Sequence, residues 1–197
     1  MTACVVRDVC AYDPPAKRRS GESMARRTVQ SDATGETFIF DDAWNEPDGR
    51  VRQLEYELAP NKPVPPHAHP DTAQIFEVVE GVLSIRVGGR VSKLNPGEAA
   101  ATGPGETHAQ WNDGPERVRA VERYAPPLAI EPFFTVLPHA IGSGNPFKIA
   151  VFFSDFKAVS TPGTLGLRLF IGLFAPLGRL IGFARWYAPL LRHPPSA

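Results

Sequence analysis

Apolar and polar residues alternate along several short segments between residues 37 and 124. In the segment 51–58, Leu54, Tyr56 and Leu58 share one face with Arg52. Side chains of a strand point alternately to two faces, so this pattern predicts β-strands. At least seven short strands without helical periodicity predict a closed or double-sheet β-barrel. Besides 51–58, the clearest predicted strands are 38–40, 73–79, 82–87, 90–94 and 117–124.

The alternation ends after the pair Pro126-Pro127. Phe, Leu, Ile and Ala become frequent, which predicts helices at 130–137, 147–156 and 163–191, the last interrupted by Pro176. We therefore expect a mainly β fold with a C-terminal α-helical extension. The expected parts are a tail at residues 1–30, a β-barrel at 31–125 and the helical extension at 126–197.

Residues 1–30 contain few bulky apolar side chains, so we expect a disordered tail that cannot offset the entropy of ordering. Met24 begins a stretch typical of a natural start, and we hypothesise that residues 1–23 are an extension upstream of it. The tail lacks the apolar stretch of a secretory signal, and Cys4 and Cys10 lack metal-site or disulfide spacing. The expected location is therefore the cytoplasm.

Charge and composition narrow the classes of function. The chain has 21 basic and 21 acidic residues and no net charge, which argues against a nucleic-acid-binding protein with a basic surface. Its 21 prolines and 17 glycines favour short elements joined by turns over a helical bundle.

Three histidines carry the candidate chemistry. His67 and His69 lie two residues apart, so in an extended strand their rings point to one face and reach one ion. His108 follows a Gly-Pro-Gly turn and begins another predicted strand. Three imidazoles suit one divalent ion of Fe, Mn, Ni, Cu, Co or Zn, and they do not select among these metals. His139 and His193 are expected to be surface or packing residues.

The spacing of these residues resembles the two motifs of the cupin superfamily, whose members are small jelly-roll (double-stranded β-helix) barrels. His67, His69, position 74 and Gly81 match the first motif, and Gly97, Gly105, His108 and Asn112 match the second. The sequence departs from the motifs at Asn61, where the family has Gly, and at Gly103, where it usually has Pro. The resemblance covers the barrel and implies a single-domain cupin fold with a metal site.

A third departure changes the chemistry of that site. The family's metal-binding Glu corresponds to Gln74, which offers a neutral carbonyl oxygen in place of a carboxylate. The resemblance therefore implies His67, His69 and His108 as ligands, with Gln74 as a weak fourth ligand or an orienting neighbour. The missing negative charge should weaken binding of a hard cation and raise the redox potential of bound iron. Glu77 cannot substitute, because it lies on the opposite strand face from Gln74.

The barrel interior is expected to hold an apolar pocket for a small organic ligand. Glu106 is the nearby acid considered for proton transfer, although an outward salt bridge fits it better. The expected lining or core residues are Phe76, Val78, Leu83, Ile85, Gln110 and Trp111.

Three functions remain open from the sequence. One is a metal-dependent enzyme, an oxygenase (dioxygenase) or isomerase acting on a small molecule. Another is a non-catalytic binding or sensing module with the same pocket. The third is a membrane-surface protein whose barrel is chiefly a scaffold. A homodimer is expected, and nucleic acid is not expected as a partner.

The segment 164–184 is apolar and close to the length of a membrane span, but Arg168 and Arg179 lie within it on one helical face. Such a helix can pack on the barrel or on a partner, lie in a membrane interface, or span the membrane. Membrane association through residues 164–190 therefore stays open beside packing.

Overall fold

The computed structural model describes residues 26–45 and 49–192, and its centre consists of two antiparallel β-sheets. The larger sheet has the order β1-β2-β3-β10-β5-β8, and the smaller has the order β11-β4-β9-β6-β7. Cys4, Cys10, Met24 and His193 lie outside the described residues. The strands are β1 (Arg27–Ser31), β2 (Glu36–Phe40), β3 (Arg52–Leu58), β4 (Lys62–Ala68), β5 (Ala73–Glu80), β6 (Leu83–Val87), β7 (Arg90–Leu94), β8 (Ala99–Thr102), β9 (His108–Asn112), β10 (Val118–Ala125) and β11 (Thr161–Pro162).

The inner faces of these sheets form the core. In β3, Leu54, Tyr56 and Leu58 are fully buried, as the alternation predicts, while Glu55 and Glu57 face outward. In β5, Phe76 and Val78 are buried and Glu77 on the other face reaches Arg123 at 2.9 Å. The predicted mainly β barrel with a C-terminal helical part is confirmed.

The predicted tail ends earlier than expected. Residues 27–30 belong to β1, which pairs with β2 along its whole length, so the tail prediction is wrong for these residues. Val29 is buried in the core, and Arg27 is held by the Glu131 carboxylate at 2.5 Å. A single buried valine among polar residues gives too weak an alternation to predict a strand.

Four helices lie within residues 126–192, and the break in the last predicted helix lies later than expected. Pro176 sits inside the third helix, which continues to Gly178 before a π-turn at Arg179–Phe183. The break occurs at Gly182, whose φ of 99° only glycine adopts readily. The prediction of a break at Pro176 is therefore wrong. The helices are α1 (Ile130–Gly142), α2 (Pro146–Asp155), α3 (Leu165–Gly178) and α4 (Ala188–Arg192).

The first two helices share the core of the barrel. Phe134 of α1 stacks on Phe38 of β2 with ring centroids 4.1 Å apart. Phe133 stacks on Phe152 of α2 at 5.1 Å, so a continuous aromatic layer joins the larger sheet to both helices. After α2 the chain returns to the smaller sheet, where β11 pairs with β4 beside His67.

Candidate metal centre

Neighbouring strands bring the three predicted histidines together. His67 lies in β4 directly opposite His108 of β9, and His69 follows β4 by one residue. The donor nitrogens of all three rings lie within 4.8 Å of one another. The ring centroids are 4.2 Å apart for His67 and His108, and 5.3 Å apart for His69 and His108.

Proline residues shape the strand that carries His67. Pro65 and Pro66 have no amide hydrogen to give to a neighbouring strand, and the register between β4 and β9 shifts between Val64 and His67. Such an irregularity bends a strand and re-aims the side chain that follows it. The Pro-Pro pair therefore helps to turn His67 toward His108.

Each of the three rings is held by a backbone carbonyl oxygen. The Nδ1 atoms of His67 and His69 lie 2.9 Å and 2.6 Å from the carbonyl oxygens of Pro65 and Val159, and that of His108 lies 3.2 Å from the Glu106 oxygen. A carbonyl oxygen only accepts, so each Nδ1 must donate a hydrogen. In the neutral ring this leaves a lone pair on Nε2, which is the form that binds metals.

Burial keeps these rings neutral. It lowers the pKa of His67, lowers that of His69 to about 3 and lowers that of His108 to about 2, with the neighbouring histidines adding to the effect for the last two. Among the described residues, the Nε2 atoms of His69 and His108 have no hydrogen-bond partner although both are buried. Buried, unpartnered lone pairs on converging rings fit a metal ion.

Gln74 lies beside this cluster on β5 and is almost fully buried. Its Nε2 donates to the Tyr124 hydroxyl at 2.7 Å, and that hydroxyl donates to Glu122 at 2.5 Å. This chain fixes the amide nitrogen toward Tyr124. The Gln74 Oε1 atom is left without a partner among the described residues, so it remains available as an acceptor or ligand.

A cavity of about 270 Å³ adjoins the cluster and is bordered by His67, His69 and Gln74. Its inner end is polar, with buried Glu36, Tyr56, Glu122 and Tyr124 in the wall. Its outer end is apolar and half-exposed, with walls from all three long helices. The outer walls include Ile141 of α1, Ile149 and Phe153 of α2 and Leu167 of α3.

Two buried carboxyl groups in this wall were not predicted. Burial raises the pKa of Glu36 to about 7, and burial together with the charge of Glu36 raises the pKa of Glu122 to about 8. Glu122 follows Val118 and Ala120 on the inward face of β10, so strict alternation could have placed it inside. Glu36 precedes the first recognisable apolar residue of β2, and no sequence pattern marks it.

The other predicted site residues have different positions. Gln110 is buried in the cavity wall. Glu106 is exposed and accepts a hydrogen bond from the Gly103 amide, and it does not line the cavity, which agrees with the favoured outward position and not with the proton-transfer alternative. Trp111 is half-exposed with Arg86 over its ring, outside the cavity. Four predicted lining residues pack in the core behind the cavity: Phe76, Val78, Leu83 and Ile85.

Comparison with known families agrees with this geometry. The family model described as the cupin domain matches residues 54–124, which include all three histidines and Gln74. These residues form a cupin domain. The cupin domain takes in β3 to β10, so β1, β2 and the helices lie outside the matched range. A comparison with curated proteins gives no match.

Several solved structures resemble about half of the chain. KdgF from Halomonas sp. is 18% identical with a TM-score of 0.44, over 49% of this chain and 85% of its own. The polyketide cyclase RemF from Streptomyces resistomycificus is 25% identical with a TM-score of 0.44, over 56% and 80%. A cupin-superfamily sugar phosphate isomerase from Silicibacter pomeroyi is 19% identical with a TM-score of 0.44, over 52% and 71%.

Proposed function

We propose that the protein binds one divalent transition metal ion through His67, His69 and His108 and acts on a small organic molecule in the adjoining cavity. The observation that carries the proposal is the orientation of the rings: every Nδ1 is held by a carbonyl oxygen, and one ligand nitrogen from each of the three rings lies within 4.8 Å of the others. Gln74 offers its unpartnered carbonyl oxygen as a weak fourth ligand.

The reaction class best supported is isomerisation or another reaction that moves a proton. When bound, the metal would supply Lewis acidity toward a substrate oxygen. Glu122 lines the same cavity, and its Oε1 atom has no partner within the described residues. A carboxyl group in that position can hold a proton or give it to a bound molecule, while Tyr124 keeps its other oxygen in place. The apolar outer walls offer water few polar partners beside the reacting end.

A non-catalytic binding module is the second candidate. It is favoured by Gln74, because a neutral amide adds no negative charge to the donor set and holds a metal less tightly than a carboxylate does. In this case the same cavity binds a ligand without turnover, and the helices at its outer end transmit the ligand-bound state to a partner.

Metal analysis of protein purified without added metal tests the site. We expect close to one ion per chain in the parent and a loss of most of that metal in His67→Ala and His108→Ala. The matched control is His139→Ala, because His139 is an exposed histidine on α1 and should keep the parent's metal content. Equal metal content in all four proteins would show that the assignment is wrong.

Activity measurements then separate the candidates. The parent and Glu122→Gln are compared on a panel of small hydroxy-carbonyl compounds by following solvent deuterium incorporation, and oxygen uptake is recorded on the same panel with diketones and phenols added. Deuterium incorporation that falls at least about a hundredfold in Glu122→Gln supports the proton-transfer reaction. Oxygen uptake without deuterium incorporation favours an oxygenase. Ligand binding without turnover favours the binding module.

A further inference from the structure

The outward side of α3 is apolar although it faces away from the protein. Leu165, Leu169 and Leu173 follow each other at four-residue spacing and are 71%, 65% and 61% exposed. Leu180 beyond the helix end is 82% exposed. A surface helix normally turns polar side chains outward, and runs of exposed leucine mark contact surfaces.

The opposite side of α3 is already occupied. Ala175 and Gly178 are buried against α2, and a Cβ atom at Gly178 would lie 3.0 Å from the Val151 side chain. At the end of the helix, Arg179 donates to Asp155 at 2.5 Å. The helix is therefore fixed on the molecule by its inner side, and the leucine stripe is presented outward.

Charge is segregated around this stripe. The segment 156–197 contains no Asp or Glu, whereas the whole chain has no net charge. Its five basic residues are all exposed. Arg179 is paired with Asp155, but the stripe lies in a segment whose own charged side chains are all cations. Such a stripe complements an anionic bilayer, whose headgroups attract the cations while its acyl region takes up the leucines. The five residues are Lys157, Arg168, Arg179, Arg185 and Arg192.

We propose that α3 and the turn after it dock on an anionic phospholipid bilayer, lying in the plane of the interface. By length and composition Leu165–Phe183 could also cross a membrane, with a mean hydropathy of 1.5. Arg168 and Arg179 within the segment and the packed inner side favour lying on the surface over crossing it. A second copy of the chain complements the stripe less well, since it would bring a second set of cations against the first.

Co-sedimentation with vesicles tests this proposal on the full chain. The vesicles are phosphatidylcholine alone or phosphatidylcholine mixed with phosphatidylglycerol. We expect binding to the mixed vesicles, little binding to the neutral ones, and weaker binding as salt is added, because salt screens the headgroup attraction.

Two pairs of variants divide the apolar and the charged contributions. Leu169→Gln with Leu173→Gln should weaken binding at least roughly tenfold, whereas the control pair Val79→Gln with Val91→Gln, exposed valines of the barrel, should not change it. Lys157→Gln with Arg192→Gln should weaken binding by roughly fivefold per charge, and Arg90→Gln with Lys93→Gln on β7 should have little effect. Glutamine is a good helix former, so the α3 variants should fold, which circular dichroism checks.

Several outcomes would overturn the proposal. The proposal is wrong if the protein binds equally to both kinds of vesicle or binds to neither. It is also wrong if the α3 variants bind the mixed vesicles as well as their controls do. If the parent protein does not bind vesicles but forms a dimer that dissociates in the leucine variants, the stripe is instead a contact surface for a second copy of the chain. Metal content, measured on the same proteins, should be unchanged in the α3 variants, so a failure here is distinguishable from a failure of the metal site.

Discussion

Gln74 decides the charge of the candidate metal centre. Three neutral imidazoles and one amide add no negative charge, so a bound divalent ion would keep its full charge inside a buried site. The buried carboxyl group of Glu122 reaches Gln74 through the Tyr124 hydroxyl. Because burial raises the pKa of Glu122 to about 8, this carboxyl group is mostly protonated near neutral pH and does not replace the negative charge that a carboxylate ligand would supply.

Replacing Gln74 by Glu tests this arrangement. We expect Gln74→Glu to bind Mn²⁺ more tightly by about tenfold or more, because a carboxylate attracts a hard cation more strongly than an amide oxygen does. The affinity is measured by competition with a chelator. Gln110→Glu is the control, since Gln110 is another buried glutamine of the cavity wall. An affinity that rises equally in both variants would mean that position 74 has no special access to the metal.

Glu36 makes the stability of the metal-free protein depend on pH. Its pKa is raised to about 7 in the folded state by burial, from 4.5. The unfolded chain therefore releases the proton first, and the contribution of Glu36 to stability is complete below pH 4.5 and is lost as the pH rises through 7. The loss amounts to at most ~3 kcal/mol.

Glu36→Gln should remove this dependence. We expect the variant to lose less stability than the parent between about pH 5 and pH 8, measured by urea unfolding in the presence of a chelator. Glu80→Gln, an exposed glutamate at the end of β5, should behave as the parent does. If parent and Glu36→Gln lose the same stability over this range, the carboxyl group of Glu36 is ionised in the folded protein.

At the scale of elements, the two-residue strand β11 connects the helices to the candidate metal centre. Pro162 lies opposite His67, and the Gly163 amide donates to the Pro66 carbonyl oxygen at 2.8 Å. A Cβ atom at Gly163 would lie 2.9 Å from that same oxygen. Only glycine allows the chain to approach β4 so closely just before α3 begins.

Gly163→Ala should therefore disturb the metal centre from outside it. We expect β11 to move away from β4, with a loss of about 1–3 kcal/mol in stability and a severalfold weaker metal affinity through His67. The control is Gly166→Ala in α3, where a Cβ atom meets nothing within 4 Å and should stabilise the helix by about 0.5–1 kcal/mol. Both variants are measured by denaturant unfolding and chelator competition. An unchanged metal affinity in a destabilised Gly163→Ala would separate β11 from the site.

The sequence predicts the elements that have a strong local pattern. The alternation of Leu54, Tyr56 and Leu58 places β3, and the motif spacing places the three histidines on one site. It could not predict β1 or β11, because each is stabilised by a strand or turn elsewhere in the chain. For the same reason Glu36 was missed, since only the folded barrel brings it to the cavity.

At the scale of the molecule, the helices are part of the site. Phe133 and Phe134 of α1 join the barrel core and also line the cavity, and Leu167 of α3 lines its outer end. The same helix carries the outward leucine stripe. The composition of residues 126–197 suggests an appendage to the barrel. In the structure, however, α1, α2 and α3 complete the wall of the cavity.

The carbonyl of Val159 holds the His69 ring although the two residues are 90 positions apart. Both His67 and His69 are therefore synthesised well before Val159, whose oxygen holds the His69 ring. They also precede β11, which pairs with the strand of His67. A nascent chain that ends before Val159 contains β1 to β10 and the carbonyl oxygens that hold His67 and His108, but it lacks the oxygen that holds His69. Orientation of the His69 ring thus waits until Val159 has been synthesised, and a candidate site with all three rings oriented forms only after that point.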